Sequence, residues 1–256
     1  MKINKWIFLS AMVLCLALVV VGTVFTVRDC TLQRKDKEVF EQLSVFIPEV
    51  VVSETDLGSS GGTVSSGDVA PAEKPTIYSG NPECIGWLSI EGTNLSYPVM
   101  HTPNEPTKYL NRNYYGDYSS AGVPFLDARC DLSNSDNLIF YGHRMKNGTM
   151  FSCLKKYTDK SFRDSHSTVT LQTEDGVFNF EVFAVISTDK VDRWYCFTNA
   201  ISAAEYDSMI DYAIDHSLYN TGIRPVQGDR IISLSTCYGS GKDGRLIVIA
   251  RELKQS

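Results

Sequence analysis

Polar and apolar positions divide the chain into stretches of very different character. From Trp6 to Val27 the sequence WIFLSAMVLCLALVVVGTVFTV runs for 22 residues without a charge. As a helix rising about 1.5 Å per residue it would be about 33 Å long, enough to cross a bilayer. A cleavable leader has a shorter apolar run closed by a small-x-small site, and Thr23-Val24-Phe25-Thr26-Val27 offers no such exit. The pattern therefore predicts an uncleaved transmembrane anchor over residues 6–27 behind a short tail, residues 1–5. In residues 28–52, Leu32, Val39, Phe40, Leu43 and Ile47 recur near helical spacing ahead of Pro48. That spacing predicts an amphipathic juxtamembrane segment resting on the membrane or on the domain behind it. Residues 53–75, SETDLGSSGGTVSSGDVAPAEKP, hold no aromatic residue and cannot bury enough surface to fold. They read as a flexible tether with an r.m.s. span of about 26 Å.

Residues 76–256 form one further unit, long enough for a single packed core. Short apolar or alternating runs fall at Gly86–Ile90, Leu95–Met100, Val123–Leu126, Asn137–Tyr141, Thr168–Leu171, Val177–Ile186, Arg230–Ser235 and Leu246–Ala250. Separated by turn residues, they predict eight strands in a mainly β fold, a barrel or a sandwich. Asp175-Gly176 reads as a two-residue hairpin turn. Two peripheral helices are expected. One spans Met150–Phe162, with Phe151, Leu154 and Tyr157 on one side. The other spans Ala203–His216, with Tyr206, Met209, Ile210 and Ala213 inward and a capping box, Ser202-x-x-Glu205, at its start. No internal repeat is present.

Charge and cysteine content narrow the function. Against 24 basic residues stand 30 acidic ones, a net charge of −6, and setting aside Lys2 and Lys5 leaves the remainder more acidic still. Such a body is a poor nucleic-acid ligand, so no nucleic-acid partner is expected. The seven cysteines are an odd number, and the absence of any Cys-x-x-Cys pair argues against zinc ribbons and thioredoxin-like sites. His101, His166 and His216 show no metal-ligand spacing and read as surface or capping residues, so neither metal nor cofactor is expected. Gly239-Ser240-Gly241-Lys242-Asp243 lacks the frame of a phosphate loop. The sequons at Asn94 and Asn147 are short patterns that recur by chance.

Among the cysteines, Cys15 lies in the anchor and Cys30 just beyond it. Cys84, Cys130, Cys153 and Cys196 sit among apolar residues and read as small buried hydrophobes, with a disulfide among them open. Cys237 differs, because it ends the run Ile231–Thr236 where a strand passes into the glycine-rich loop at Gly239. A thiol there can meet a substrate. His143 likewise follows an apolar strand, Asn137–Tyr141, with Gly142 before it, and can serve as general base and then general acid. Arg245 opens the strand after the Cys237 loop; if the two strands pair, it returns beside the thiol, where a guanidinium stabilises a developing oxyanion by roughly 3 kcal/mol.

The segment NLIFYGHRMKNGTMF (137–151), with Leu234-Ser235-Thr236-Cys237 and Arg245-Leu246-Ile247-Val248, resembles the class B sortases of Gram-positive bacteria. The likeness covers most of residues 81–251, including Gly86-Trp87-Leu88, Tyr97-Pro98-Val99, Lys108-Tyr109-Leu110 and Phe125-Leu126-Asp127. It implies a closed eight-stranded β-barrel with peripheral helices and a catalytic domain over 76–256. It also implies a single-pass anchor in the cell membrane, N-terminus inside and enzyme outside, an orientation that flanking charges leave open. The implied activity is transpeptidation on surface proteins bearing a C-terminal sorting signal, cleaved after threonine. A cell-wall peptidoglycan precursor would be the acceptor amine, or a pilin lysine in a polymerase. By the same resemblance Cys237 is the nucleophile, His143 the acid and base, and Arg245 the substrate clamp. Leu110, Tyr141, Ser235 and Thr236 match positions lining the peptide groove. An asparagine that some members place before the Tyr-Leu pair is replaced here by Pro106, which puts signal specificity in question. From the residues alone, a cysteine hydrolase passing the acyl group to water and a non-catalytic adhesion domain remain alternatives.

Overall fold

The computed structural model describes residues 5–45, 77–239, 241 and 243–254. The tether expected at 53–75 and Ile47 of the amphipathic segment lie outside the described residues, as do residues 1–4.

Eight strands close into a barrel: β1 (Cys84–Ser89), β2 (Ser96–Met100), β3 (Phe125–Leu126), β4 (Asn137–Tyr141), β5 (Thr168–Thr173), β6 (Gly176–Asp189), β7 (Ile231–Cys237) and β8 (Gly244–Glu252). Their order around the barrel is β1-β2-β3-β4-β7-β8-β6-β5. Pairing of β1 with β5, Leu88 opposite Leu171, seals it and excludes a sandwich. All but two of the neighbouring pairs are antiparallel; β2 runs parallel to β3, and β4 parallel to β7. Closure hides the inward face of β7 and the 3-10 segments packed on the barrel cover the other, Trp194 and Tyr195 bonding Ser233 and Ser235, so Ile231–Thr236 are buried throughout and only Cys237 is exposed.

The helix expected at Met150–Phe162 is two pieces. A 3-10 run, Phe151–Thr158, is followed by the short helix α3, Lys160–Ser165, capped by the Asp159 carboxylate accepting from the Ser161 N–H at 2.8 Å. Three of the 3-10 run's four buried residues, Phe151, Leu154 and Tyr157, recur every third position, the period of a 3-10 helix and not the 3.6 of an α-helix, and Cys153 fills in beside them. The last long helix, α4 (Ala203–Asp215), buries Tyr206, Met209, Ile210 and Ala213 as expected. Ser202 Oγ accepts from the Glu205 N–H, but the Glu205 carboxylate takes the N–H of Ile201 at 2.7 Å, so the reciprocal half of the capping box reaches one residue further back. The β5–β6 hairpin also differs by one residue. Thr173 pairs with Gly176, which makes Glu174-Asp175 the turn, with Thr173 Oγ1 accepting from the Asp175 N–H.

At the N-terminus one helix, α1 (Lys5–Ser44), runs through both the uncharged stretch and the juxtamembrane segment. A short turn of helix, α2 (Ile77–Gly80), precedes β1. Phe40 and Leu43 of α1 bury against the barrel, the Phe40 ring standing edge-on to Tyr97 at 5.3 Å. Among the described residues no helix is long and apolar enough to cross a membrane. The structure thus does not supply the span expected at 6–27; what it shows there is a helix whose described side chains from Met12 to Val24 are all exposed.

Candidate active site

Three strand ends meet at one rim of the barrel. Cys237 is the last residue of β7, and its direct cross-strand partner is Arg245, near the start of β8. The Tyr238 N–H bonds the Gly244 carbonyl at 2.9 Å, closing the base of the intervening loop. The expected pairing of these two strands is therefore present, and it sets arginine beside cysteine through backbone geometry.

His143 arrives from the other side of β7. Strand β4 is parallel to β7 with Tyr141 opposite Ser235. The ladder continues past the strand end, because the Gly142 N–H bonds the Ser235 carbonyl at 3.2 Å and Thr236 Oγ1 donates to the Gly142 carbonyl at 2.8 Å. The next step of the register brings His143 level with Cys237. Gly142 is required there: a Cβ would stand 2.6 Å from the Phe151 ring.

The imidazole is held by a carbonyl. His143 Nε2 lies 2.9 Å from the Leu110 oxygen, which can only accept, so Nε2 carries the proton and the lone pair of the neutral ring sits on Nδ1. Leu110 belongs to the 3-10 turn Lys108–Asn111. Glu83 pins that turn by accepting from Lys108 Nζ at 2.6 Å and Tyr109 Oη at 2.5 Å. Burial pushes the Glu83 carboxyl up, and these two donors outweigh it, holding the group below its ordinary value. Gly122 backs the turn from behind with φ +61°, where a Cβ would fall 2.5 Å from the carbonyl oxygens of both Tyr109 and Leu110.

A polar and aromatic wall flanks the cysteine. Side chains alternate along a strand, so Cys237 shares a face with Ser233 and Ser235. Ser233 Oγ accepts from Trp194 Nε1 at 2.9 Å, and Ser235 Oγ bonds the Tyr195 hydroxyl at 2.7 Å. The Tyr195 ring stacks on Tyr141, centroids 6.1 Å apart, and the Tyr141 hydroxyl donates to Asp127 at 2.8 Å. Burial pushes the Tyr195 hydroxyl up to about 12; the Ser235 hydrogen bond and the charge of Arg245 pull it down, while the charges of Asp192 and Cys237 push it up.

Of the groove residues expected from sequence, Tyr141 is half-buried and stands in this wall. Ser235 and Thr236 are buried; Ser235 lies on the face of Cys237 with its hydroxyl bonded to Tyr195, whereas Thr236 is on the alternate face and ties β7 to the Gly142 carbonyl. Leu110 contributes its backbone carbonyl. Sequence reasoning missed Tyr195 and the pair Asp127 and Arg129; the only signal was the Phe125-Leu126-Asp127 match. It also placed Cys196 in the core, whereas Cys196 is exposed, because its neighbours Trp194, Tyr195 and Phe197 turn inward from the short 3-10 segment Arg193–Cys196. All six cysteines described are free. Burial pushes the thiols of Cys84 and Cys130 up to about 11, suppressing their reactivity. His166 and His216 cap α3 and α4, as expected.

An exposed thiol with an imidazole and a guanidinium on the two adjoining strands is a constellation for acyl transfer. Comparison with known proteins agrees. Residues 88–253 match the sortase domain. The chain is 36% identical over 174 residues to sortase B of Listeria monocytogenes, covering 66% of this chain and 69% of that protein. It is 30% identical over 179 residues to sortase B of Staphylococcus aureus, covering 69% and 72%. The solved complex of Staphylococcus aureus sortase B with substrate superposes with a TM-score of 0.65 at 29% identity, covering 70% of this chain and 84% of that chain. Barrel and sequence thus agree over the stretch that carries Cys237, His143 and Arg245, and the chain belongs to the class B sortases, a group of cysteine transpeptidases.

Proposed function

We propose that this sortase is a membrane-anchored enzyme that cleaves a surface protein's C-terminal sorting signal after its threonine and transfers the protein to an amine of the cell wall. The observation that carries the reading is the direct cross-strand pairing of Cys237 with Arg245, with His143 two residues beyond the last rung of the β4–β7 ladder, Tyr141 opposite Ser235, on the other side.

In this mechanism the Cys237 proton passes to His143 Nδ1 and the thiolate sulfur attacks the threonine carbonyl carbon. The electron pair moves to the carbonyl oxygen, where Arg245 donates hydrogen bonds to it. Collapse breaks the C–N bond, His143 protonates the leaving amine, and a thioester remains on Cys237. The incoming amine then attacks the thioester carbonyl, gives its proton to His143, and expels the thiolate. The Leu110 carbonyl, by accepting from Nε2–H, orients the ring so that Nδ1 faces the proton at each transfer. A thioester suits this chemistry because amines attack it readily, and an acceptor held in the groove outcompetes water by effective concentration.

The anchor reading rests on the uncharged stretch 6–27, which is helical and leaves its described apolar side chains without protein cover. The amino terminus would lie inside and the barrel outside, where enzyme and exported substrate share one surface and meet more often.

The test uses the full chain in lipid vesicles with a fluorescent sorting-signal peptide and a small amine as acceptor. The expected product is the peptide–amine conjugate, absent with Cys237→Ala. Hydrolysed peptide alone at every amine concentration would overturn transfer, and recovery of the protein in the vesicle-free supernatant would overturn the anchor.

A further inference from the structure

The wall beside Cys237 is held in place by two residues that touch neither the thiol nor its partners. Asp127, just past the end of β3, is buried. It forms a two-pronged pair with Arg129, Asp127 Oδ1 accepting from Arg129 Nε at 2.9 Å and Oδ2 from Nη2 at 2.7 Å, while Oδ2 also accepts from the Tyr141 hydroxyl. The same Arg129 Nη2 donates to the main-chain carbonyl of Tyr195 at 2.7 Å. Tyr195 lies in the short 3-10 segment Arg193–Cys196, within the long β6–β7 connection, and its own hydroxyl returns to Ser235 beneath the site. One ion pair therefore grips the two stacked rings at once, Tyr141 by its hydroxyl and Tyr195 by its backbone.

The geometry is that of a spacer. A guanidinium is planar with donors in a fixed fork, so a bidentate pair sets separation and angle together in a way that a lysine cannot reproduce. Trp194, bonded to Ser233, and Phe197, whose carbonyl accepts from Asn137 Nδ2 at 2.8 Å, fasten the segment to the barrel on either side of Tyr195. Without Arg129 the Tyr195 carbonyl loses its partner, and the two rings lose their common reference. The catalytic strand ends are held by backbone ladders and would not move.

We infer that Asp127 and Arg129 are positioning residues for peptide binding: they fix the spacing of Tyr141 and Tyr195, and through it the fit of the sorting signal beside Cys237. This rests on the transpeptidase reading above. The test is steady-state kinetics of the full chain in vesicles, with the fluorescent signal peptide varied at saturating amine, for wild type, Arg129→Met, Arg129→Lys and Asp127→Asn. Alkylation of Cys237 by iodoacetamide is followed in parallel. Arg129→Met is expected to raise KM about tenfold, the size of one charge-assisted hydrogen bond, with kcat and alkylation rate within about twofold of wild type. Arg129→Lys, which keeps the charge without the fork and covers a poorly folding Met variant, should recover less than half of that rise. Unchanged KM in both arginine variants, or a fall in kcat matched by slower alkylation, would overturn the inference while leaving transpeptidation intact. A wild-type enzyme that forms no conjugate would overturn both.

Discussion

The groups around Cys237 are positioned by two different means. His143 and Arg245 are delivered by β4 and β8, the strands on either side of β7, whose hydrogen-bonded ladders with β7 fix them by register. The ring of Tyr195, and the hydroxyl of Tyr141 beyond its own place in the β4 ladder, are tied by side-chain bonds through Asp127, Arg129 and Ser235. A ladder tolerates exchange of the side chains along it, since main-chain groups make the bonds. A side-chain network fails with any of its members. The groups proposed to do chemistry thus stand on the part of the fold least sensitive to substitution, and the groups proposed to read the peptide stand on the part most easily altered.

The largest effect expected from breaking this contrast lies at Arg245. Because the backbone places it, Arg245→Ala should leave the fold and the melting temperature nearly unchanged while lowering kcat/KM by about 10²–10³-fold, the value of a lost oxyanion donor. Arg245→Lys should recover only part of that, since an ammonium lacks the guanidinium fork. A fall in activity that tracked a fall in melting temperature would mean that the arginine holds the β7–β8 pair together, and the division between ladder and chemistry would be lost.

A smaller effect, on the laddered side, sharpens the boundary. His143 owes its position to β4 but its orientation to the Leu110 carbonyl, which depends on Gly122. Gly122→Ala forces a Cβ against two carbonyl oxygens at a positive φ, a strain of about 1–3 kcal/mol in unfolding free energy. If the turn shifts to relieve it, the imidazole loses the acceptor that orients it. Conjugate formation should then fall by more than the stability loss accounts for, as measured by kcat well below the variant's melting temperature. A destabilised variant with wild-type kcat would show that the carbonyl does not orient the histidine.

What could be read from the sequence follows the same division. All eight strands were legible because burial on one or both faces writes itself as apolar runs, and the ends of those runs located Cys237, His143 and Arg245. Closure of the barrel was not legible from the runs; it entered through family resemblance. The break at Asp159 was missed because Phe151, Leu154 and Tyr157 satisfy an α-helical pattern over one turn and depart from it only over two. The rest of the wall, beyond the Tyr141 and Ser235 that the family resemblance supplied, was illegible for a different reason. Arg129 meets Tyr195 across 66 residues of chain and through a main-chain carbonyl, and Leu110 acts on His143 through another, so neither leaves a mark in residue type. Cys196 misled because apolar neighbours predict burial only where the backbone turns them the same way.

The smallest effect belongs to the side-chain network and depends on pH. Burial pushes the Asp127 carboxyl up, but the Arg129 hydrogen bonds, the Tyr141 hydroxyl and the Arg129 charge together hold it below its ordinary 3.8. A carboxylate whose folded-state value lies below its unfolded one contributes stability that is present above the unfolded value and is lost as pH falls through the folded one. Wild type should therefore exceed Asp127→Asn in urea midpoint at neutral pH, and the gap should narrow as pH falls below about 4, because the unfolded chain then takes up the proton that the folded site resists. A gap that stays constant across that range would mean that the variant's loss is one of shape alone. In that case the network would hold its two rings by packing, and its likeness to the ladder opposite would be closer than its chemistry suggests.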